Sequence, residues 1–172
     1  MGILKNNQIS TLMKNFGKPS NNSRRIKKND VFFAIKGLRK DGNDYIDDAI
    51  KNGAAAVVKE NDNYKKSINT DVSIYIVKDS KQSYSIACAE SYNNPSNKLD
   101  LCGITGTNGK TSVTHLLSEI WKKKGVGIIG TINTSYGKKN IKSSLTTPDA
   151  YELNQYLSKM NENKTKKVFM EV

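Results

Sequence analysis

The sequence predicts an α/β protein in two parts: a small α/β unit, then the start of a parallel-sheet domain built around a phosphate loop. Three observations carry this. Short apolar runs at residues 31–35, 54–58 and 73–77 alternate with helical patterns in the first part. Leu99, Leu101 and Ile104 then lead into a Gly-rich turn, after which Val113, Leu116, Leu117 and Ile120 recur at helical spacing. Between the two, Asn93, Asn94, Pro95, Ser96 and Asn97 break the chain, which puts the boundary between residues 1–97 and 98–172. A chain of 172 residues has room for two such small domains.

In chain order, Ile3, Leu4, Ile9, Leu12, Met13 and Phe16 follow a helical pattern that Gly17 and Pro19 end. Asn22, Ser23 and Arg24 precede a basic turn at Lys27, Lys28, Asn29 and Asp30, and residues 31–35 read as a buried strand. Residues 37–42 form a loop carrying Leu38, Arg39, Lys40 and Asp41. Asp44 is placed to cap a helix to Asn52, with Tyr45, Ile46, Ala49 and Ile50 inward and Gly53 at its end. A second strand at 54–58 and a turn-rich connection at 61–71 lead to a third strand at 73–77. A helix from Asp79 or Ser80 to Tyr92 buries Tyr84, Ala87, Cys88 and Ser91.

Past the boundary, Gly125 stops the helix after the loop and residues 126–131 form a strand of the same sheet. Residues 133–145 read as an irregular hairpin turning at Tyr136, Gly137 and Lys138. Thr147 is the expected N-cap of the next helix, with Pro148 at its first position and Asp149 favourable to its dipole. That helix runs to about Asn161 and buries Leu153, Tyr156, Leu157 and Met160. The last residues, 167–172, form an apolar strand with Glu171 near its C-terminal end, where α/β sheets present metal ligands. The chain stops there without cap, turn or polar tail, so the sequence reads as cut short.

The chemistry lies in Gly106, Thr107, Asn108, Gly109, Lys110, Thr111 and Ser112. Two glycines let the backbone curl so that successive amides point inward, and the helix beginning near Lys110 adds its positive end. Lys110 would reach the β- and γ-phosphates of a nucleotide, and the Thr111 hydroxyl would ligate magnesium. The full pattern G-x-x-x-x-G-K-[ST] needs glycine at 104, where this chain has Ile104, so the match is to the compact half from Gly106 to Thr111. Plainer readings stand beside these: a structural Gly-rich turn, a solvated turn at Ser23 and Arg24, helix capping by Thr146 and Thr147, and an exposed strand-end acid at Glu171.

Composition narrows the classes. An apolar fraction of 36% with eight Tyr and four Phe supports a packed core. The net charge of +12 comes from Lys spread through every segment, with no aromatic-interleaved basic stripe, which argues against nucleic-acid binding. A basic surface suits an anionic nucleotide. The N-terminus has no signal-length apolar run and no stretch approaches the roughly 18 residues of a membrane span, so a cytoplasmic protein is expected. Cys88 and Cys102 read as reduced, buried thiols. The sole histidine, His115, sits on the helix after the loop with no sign of a Cys-His pair, which argues against a thiol nucleophile.

The run from Gly103 to Thr111 resembles the ATP loop of the Mur ligases, the ATP-dependent amino-acid ligases of peptidoglycan precursor synthesis. Other blocks agree in order: Ser23 and Arg24 with Asp30, Val31, Phe32, Phe33, Ala34 and Gly37; Asp41 and Gly42 through Ala56; Thr146, Thr147 and Pro148; and Met170, Glu171 and Val172. The resemblance is strongest to members that add the third amino acid, diaminopimelate or lysine, to UDP-N-acetylmuramoyl-L-alanyl-D-glutamate through an acyl phosphate. It implies an N-terminal UDP-sugar-binding domain at 1–97 and part of a central ATP-binding domain at 98–172. It assigns Gly106 to Ser112 to ATP, Lys110 to catalysis, and Thr111 and Glu171 to Mg2+. It assigns Ser23, Arg24, Leu38, Arg39, Lys40, Thr146 and Thr147 to the UDP-muramoyl substrate. Asn22 stands where the family's Asp-Ser-Arg motif has Asp, and residues 38–40 differ from the commoner His-rich uracil loop. Family members continue past the Met-Glu-Val strand, which implies little or no ligase activity for these residues alone. A different Mur-type ligase, such as the D-alanyl-D-alanine-adding or a folate-type enzyme, and a non-catalytic nucleotide-binding module remain alternatives.

Overall fold

A computed structural model describes residues 3–38, 40–60, 72–121, 125–143 and 145–172. The chain divides into two compact units, Met1–Ser91 and Tyr92–Val172. The turn-rich connection expected at 61–71 lies outside the described residues.

The first unit contains β1 (Ile3–Leu4), α1 (Asn6–Asn15), β2 (Pro19–Ser20), β3 (Val31–Phe33), α2 (Ile46–Lys51), β4 (Ala56–Lys59), β5 (Ser73–Val77) and α3 (Ser80–Ser91). Its five strands pair in parallel in the order β1-β5-β4-β3-β2. β3 and β4 are wholly buried, and alternation sorts their side chains between two faces. Phe32 and Val57 pack with Ile46, Ala49 and Ile50 of α2. On the other face Phe33 meets Tyr84 of α3 with ring centroids 5.4 Å apart.

Local expectations failed here where a longer-range or shorter bond competed. Ile3 and Leu4 leave the helical pattern to pair with Ile76 and Val77. Asp44 does not cap: Asp41 accepts from the Asn43 amide at 2.9 Å, a 3-10 turn follows over Gly42–Tyr45, and α2 begins only at Ile46. In α3, Ser91 is exposed and Ser83 takes the buried position beside Tyr84.

The second unit contains β6 (Asp100–Ile104), α4 (Lys110–Trp121), β7 (Val126–Ile129), β8 (Asn133–Tyr136), β9 (Lys139–Lys142), α5 (Ala150–Glu162) and β10 (Lys167–Glu171). The sheet order is β6-β10-β7-β8-β9. β10 runs parallel to both neighbours, while β8 and β9 add an antiparallel hairpin. That hairpin is regular, turning at Gly137, whose φ of 54° suits a tight connection. α5 covers one face through Leu157 and Met160 against Ile129 and Val168. Gly127 makes room, since a Cβ there would sit 2.8 Å from the Met160 sulfur. Tyr156 donates to Glu152 at 2.8 Å, and burial, with that bond, pushes its phenol up to about 12.

Three further expectations are corrected in this unit. Helix α4 turns the small residues Thr114 (0% exposed) and Ser118 (8%) to the sheet and leaves Val113, Leu116 and Ile120 exposed, at 44, 65 and 73%. Its inner stripe is thus Thr111, Thr114, Ser118 and Trp121, with Trp121 against Phe169 at 6.1 Å. Cys102 is only half-buried because β6 is the edge strand, where Leu101 is also exposed; Cys88 is buried as expected. Thr147 is not the N-cap: α5 begins only at Ala150 and its cap is Asp149, whose carboxylate accepts from the Glu152 amide at 2.8 Å. No helix among the described residues is long and apolar enough to cross a membrane.

Candidate functional site

In the second unit, β6 ends at Ile104 and α4 begins at Lys110, so residues 105–109 form the intervening loop. Gly106 (φ 145°) and Gly109 (φ 78°) supply the conformations that L side chains resist. The Val113 amide donates to Gly109 O at 2.9 Å, closing the first helical turn and leaving the preceding amides free of that ladder. Lys110 Nζ donates to Gly106 O at 2.6 Å, folding its ammonium back over the loop.

β10 lies between β6 and β7, and its register sets Glu171 opposite Ile104, beside the loop's first residue. Strand alternation then decides the face. Val168 and Met170 pack toward α5, while Phe169 meets Trp121 of α4, so Glu171 also points toward α4. The carboxylate is 1% exposed and accepts from the Thr111 hydroxyl (3.0 Å), the Thr131 hydroxyl (2.9 Å) and the Thr131 amide (3.1 Å). The small inner face of α4 is what lets Thr111 come this close to the strand end. Glu171 is therefore a buried, hydrogen-bonded acid and not an exposed one.

One cavity of about 270 Å³ gathers these groups: Thr107, Asn108, Gly109, Lys110, Thr111, Ser112, Thr131, Thr146 and Glu171. Thr146 joins through its hydroxyl, 3.1 Å from that of Thr131. Thr147 is held nearby by donating to the Glu171 carbonyl at 3.1 Å. Thr131 was not singled out from the sequence, nor was Gly130, where a Cβ would fall 2.2 Å from Glu171 Oε1. The readable signal was a Gly-Thr step directly after a buried parallel strand.

A divalent cation fits this chemistry. Glu171 and Thr111 offer hard oxygen donors next to a loop shaped for phosphate, and among the described residues no group of three or more His, Cys, Asp or Glu competes. Mg2+ favours so sparse a protein set, because it keeps waters and phosphate oxygens as its other ligands.

A second cavity, of about 460 Å³, lies in the first unit and is lined by Asn21, Asn22, Ser23, Arg24, Ile35, Gly37, Lys40, Gly42 and Tyr45. Its size is that of a small-molecule site. Asn22 Oδ1 accepts from the Arg24 amide at 3.0 Å, capping a 3-10 turn over Ser23–Arg25. An Asp at that position would use the same acceptor, so Asn preserves the local geometry. Ser23 is buried and its carbonyl accepts from Asn52 Nδ2 at 3.0 Å. Gly42 is obligatory, since a Cβ would sit 2.5 Å from Ile35 N. Bonds from the Asn43 amide hold the adjacent Asp41 carboxyl below the usual carboxylate range. Leu38 is fully exposed and does not line this cavity, Lys40 does, and Arg39 lies outside the described residues.

A parallel strand, a curled glycine turn, Lys-Thr at a helix start and a strand-end carboxylate make up a phosphate-loop arrangement. Residues 104–172 match the model of the Mur ligase middle domain and residues 20–95 that of the Mur ligase family, catalytic domain. The chain belongs to the Mur ligase family. It is 40% identical over 152 residues to a UDP-N-acetylmuramoyl-L-alanyl-D-glutamate--2,6-diaminopimelate ligase of Bacillus velezensis, covering 87% of this chain and 30% of that protein. The enzyme of the same name in Caldanaerobacter subterraneus is 42% identical, with 87% of this chain and 31% of its own length covered. Among solved structures, a ligase of that name superposes with a TM-score of 0.70 at 20% identity, over 91% of this chain and 32% of that one. The MurF ligase of Thermotoga maritima in complex with ADP gives a TM-score of 0.52 at 27% identity, covering 90% and 31%. The chain thus spans about a third of the length of the curated relatives it matches.

Proposed function

We propose that these residues are the sugar-nucleotide and ATP-holding portion of a cytoplasmic ligase that adds diaminopimelate to UDP-N-acetylmuramoyl-L-alanyl-D-glutamate. The observation that carries the reading is the single cavity in which the loop from Thr107 to Ser112, Thr146 and the buried Glu171 converge. The names of the relatives favour diaminopimelate over lysine. On this reading residues 1–97 hold the UDP moiety, through Ser23, Arg24 and Lys40, and residues 98–172 begin the ATP domain.

In the ligation, the dipeptide's terminal carboxylate takes the γ-phosphoryl group and the incoming amine displaces phosphate. Both steps develop negative charge on phosphoryl oxygens. Loop amides and the positive end of α4 stabilise that charge, and Lys110 exchanges its bond to Gly106 O for phosphate oxygen. Thr111 and Glu171 would hold Mg2+, which would supply further neutralisation there. Thr146 and Thr147 orient the peptide end of the substrate. The 172-residue chain on its own binds nucleotide but has little or no ligase activity.

Titration of the chain with a fluorescent ATP analogue and Mg2+ tests this. The wild type binds, and Lys110→Ala, losing a charge-assisted contact worth about 1.5–3 kcal/mol, weakens binding roughly 10- to 100-fold with an unchanged melting temperature. Unchanged affinity in that variant refutes the assignment, and robust tripeptide formation by this chain refutes only its inactivity on its own.

A further inference from the structure

Thr131 is solvent-exposed, yet it makes two bonds to a carboxylate that is 1% exposed. Its amide meets Oε1 at 3.1 Å and its hydroxyl meets Oε2 at 2.9 Å, so the two contacts fix both oxygens and hence the rotation of the carboxyl plane. Thr111 reaches only Oε2, at 3.0 Å, and alone would leave that rotation free. Gly130 is part of the device: only a residue without Cβ lets the chain pass close enough for the Thr131 amide to reach Oε1. The hydroxyls also have a direction. Thr131 carries one proton, which goes to Glu171, so the contact of 3.1 Å with Thr146 requires Thr146 to donate to Thr131.

We propose that Thr131 is a positioning residue, which locks the Glu171 carboxylate for the cation and ties that lock to Thr146 at the substrate side. The proposal rests on the Mg2+-ATP reading above. Groups that orient a metal ligand without touching the metal are worth about 10- to 100-fold in metal affinity. The role is separable from folding because Thr131 is on the surface.

The test compares binding of a fluorescent ATP analogue with Mg2+ and with EDTA, in the wild type, Thr131→Val and Thr131→Ser. Thr131→Val keeps the amide and the side-chain volume but loses the hydroxyl. The expected result is loss of about 10-fold or more of the Mg2+-dependent enhancement, read as the ratio of affinities with and without metal; Thr131→Ser restores it. Mn2+ affinity of the nucleotide-bound chain, read by electron paramagnetic resonance, falls in parallel. If Thr131→Val lacks a cooperative melt, Thr131→Ala carries the same comparison. Full enhancement in the hydroxyl-free variant, no recovery with Ser, or an equal fall with and without metal overturns the proposal. A wild type that binds no nucleotide, or binds it without regard to Mg2+, overturns the underlying function instead.

Discussion

The two sheets treat their principal helices in opposite ways. Against β3 and β4, α2 presents Ile46, Ala49 and Ile50, and the contact is an apolar core around Phe32 and Val57. Against β10 and β7, α4 presents Thr111, Thr114 and Ser118 while Val113, Leu116 and Ile120 face solvent. The first contact gains stability from area removed from water. The second gives up that gain to bring a helix start, a hydroxyl and a strand-end carboxylate within hydrogen-bonding distance. Stability and chemistry thus rest on different side chains, which makes the contrast open to mutation.

The largest effect is expected at Phe32, which is 1% exposed: Phe32→Ala should lower the stability of the first unit by about 3–5 kcal/mol in a denaturant melt. A loss below about 1 kcal/mol would remove the first half of the contrast. Next comes Gly130→Ala, whose Cβ must displace the Glu171 carboxylate. It should cost about 1–3 kcal/mol in a melt and reduce the Mg2+ response of nucleotide binding; an unaltered Mg2+ response would separate Glu171 from the cation. The smallest is Leu116→Ala on α4. Despite the apolar pattern of that helix, a side chain 65% exposed should change stability by no more than about 0.5 kcal/mol. A loss of 2 kcal/mol there would mean that the helix buries its apolar stripe after all.

Much of the architecture was readable because it is written in short-range signals. The third strand, residues 73–77, coincides with β5, and the loop glycines lie where positive φ is needed. The cavity in the first unit gathers Ser23, Arg24 and Lys40, three of the residues that the family resemblance placed at the UDP moiety. Errors arose where competitors were close in energy. Thr147 and Asp149 are both good caps, and the choice went to Asp149 because the Thr147 hydroxyl is drawn to a carbonyl of β10. Leu38, which the resemblance also placed at the substrate, is exposed and does not line that cavity.

Residue type and spacing were enough for the α/β alternation, the glycine-rich loop and the candidate acid, since glycine freedom, helix periodicity and strand-end placement are properties of a few consecutive residues. Which side of α4 faces the sheet was not written locally: hydrophobic periodicity selected the wrong stripe. The environment of Glu171 was also beyond local reading, because Thr111, Thr131 and Glu171 are separated by up to 60 positions. They meet only when β10 inserts between β6 and β7 and brings its last carboxylate under the start of the helix.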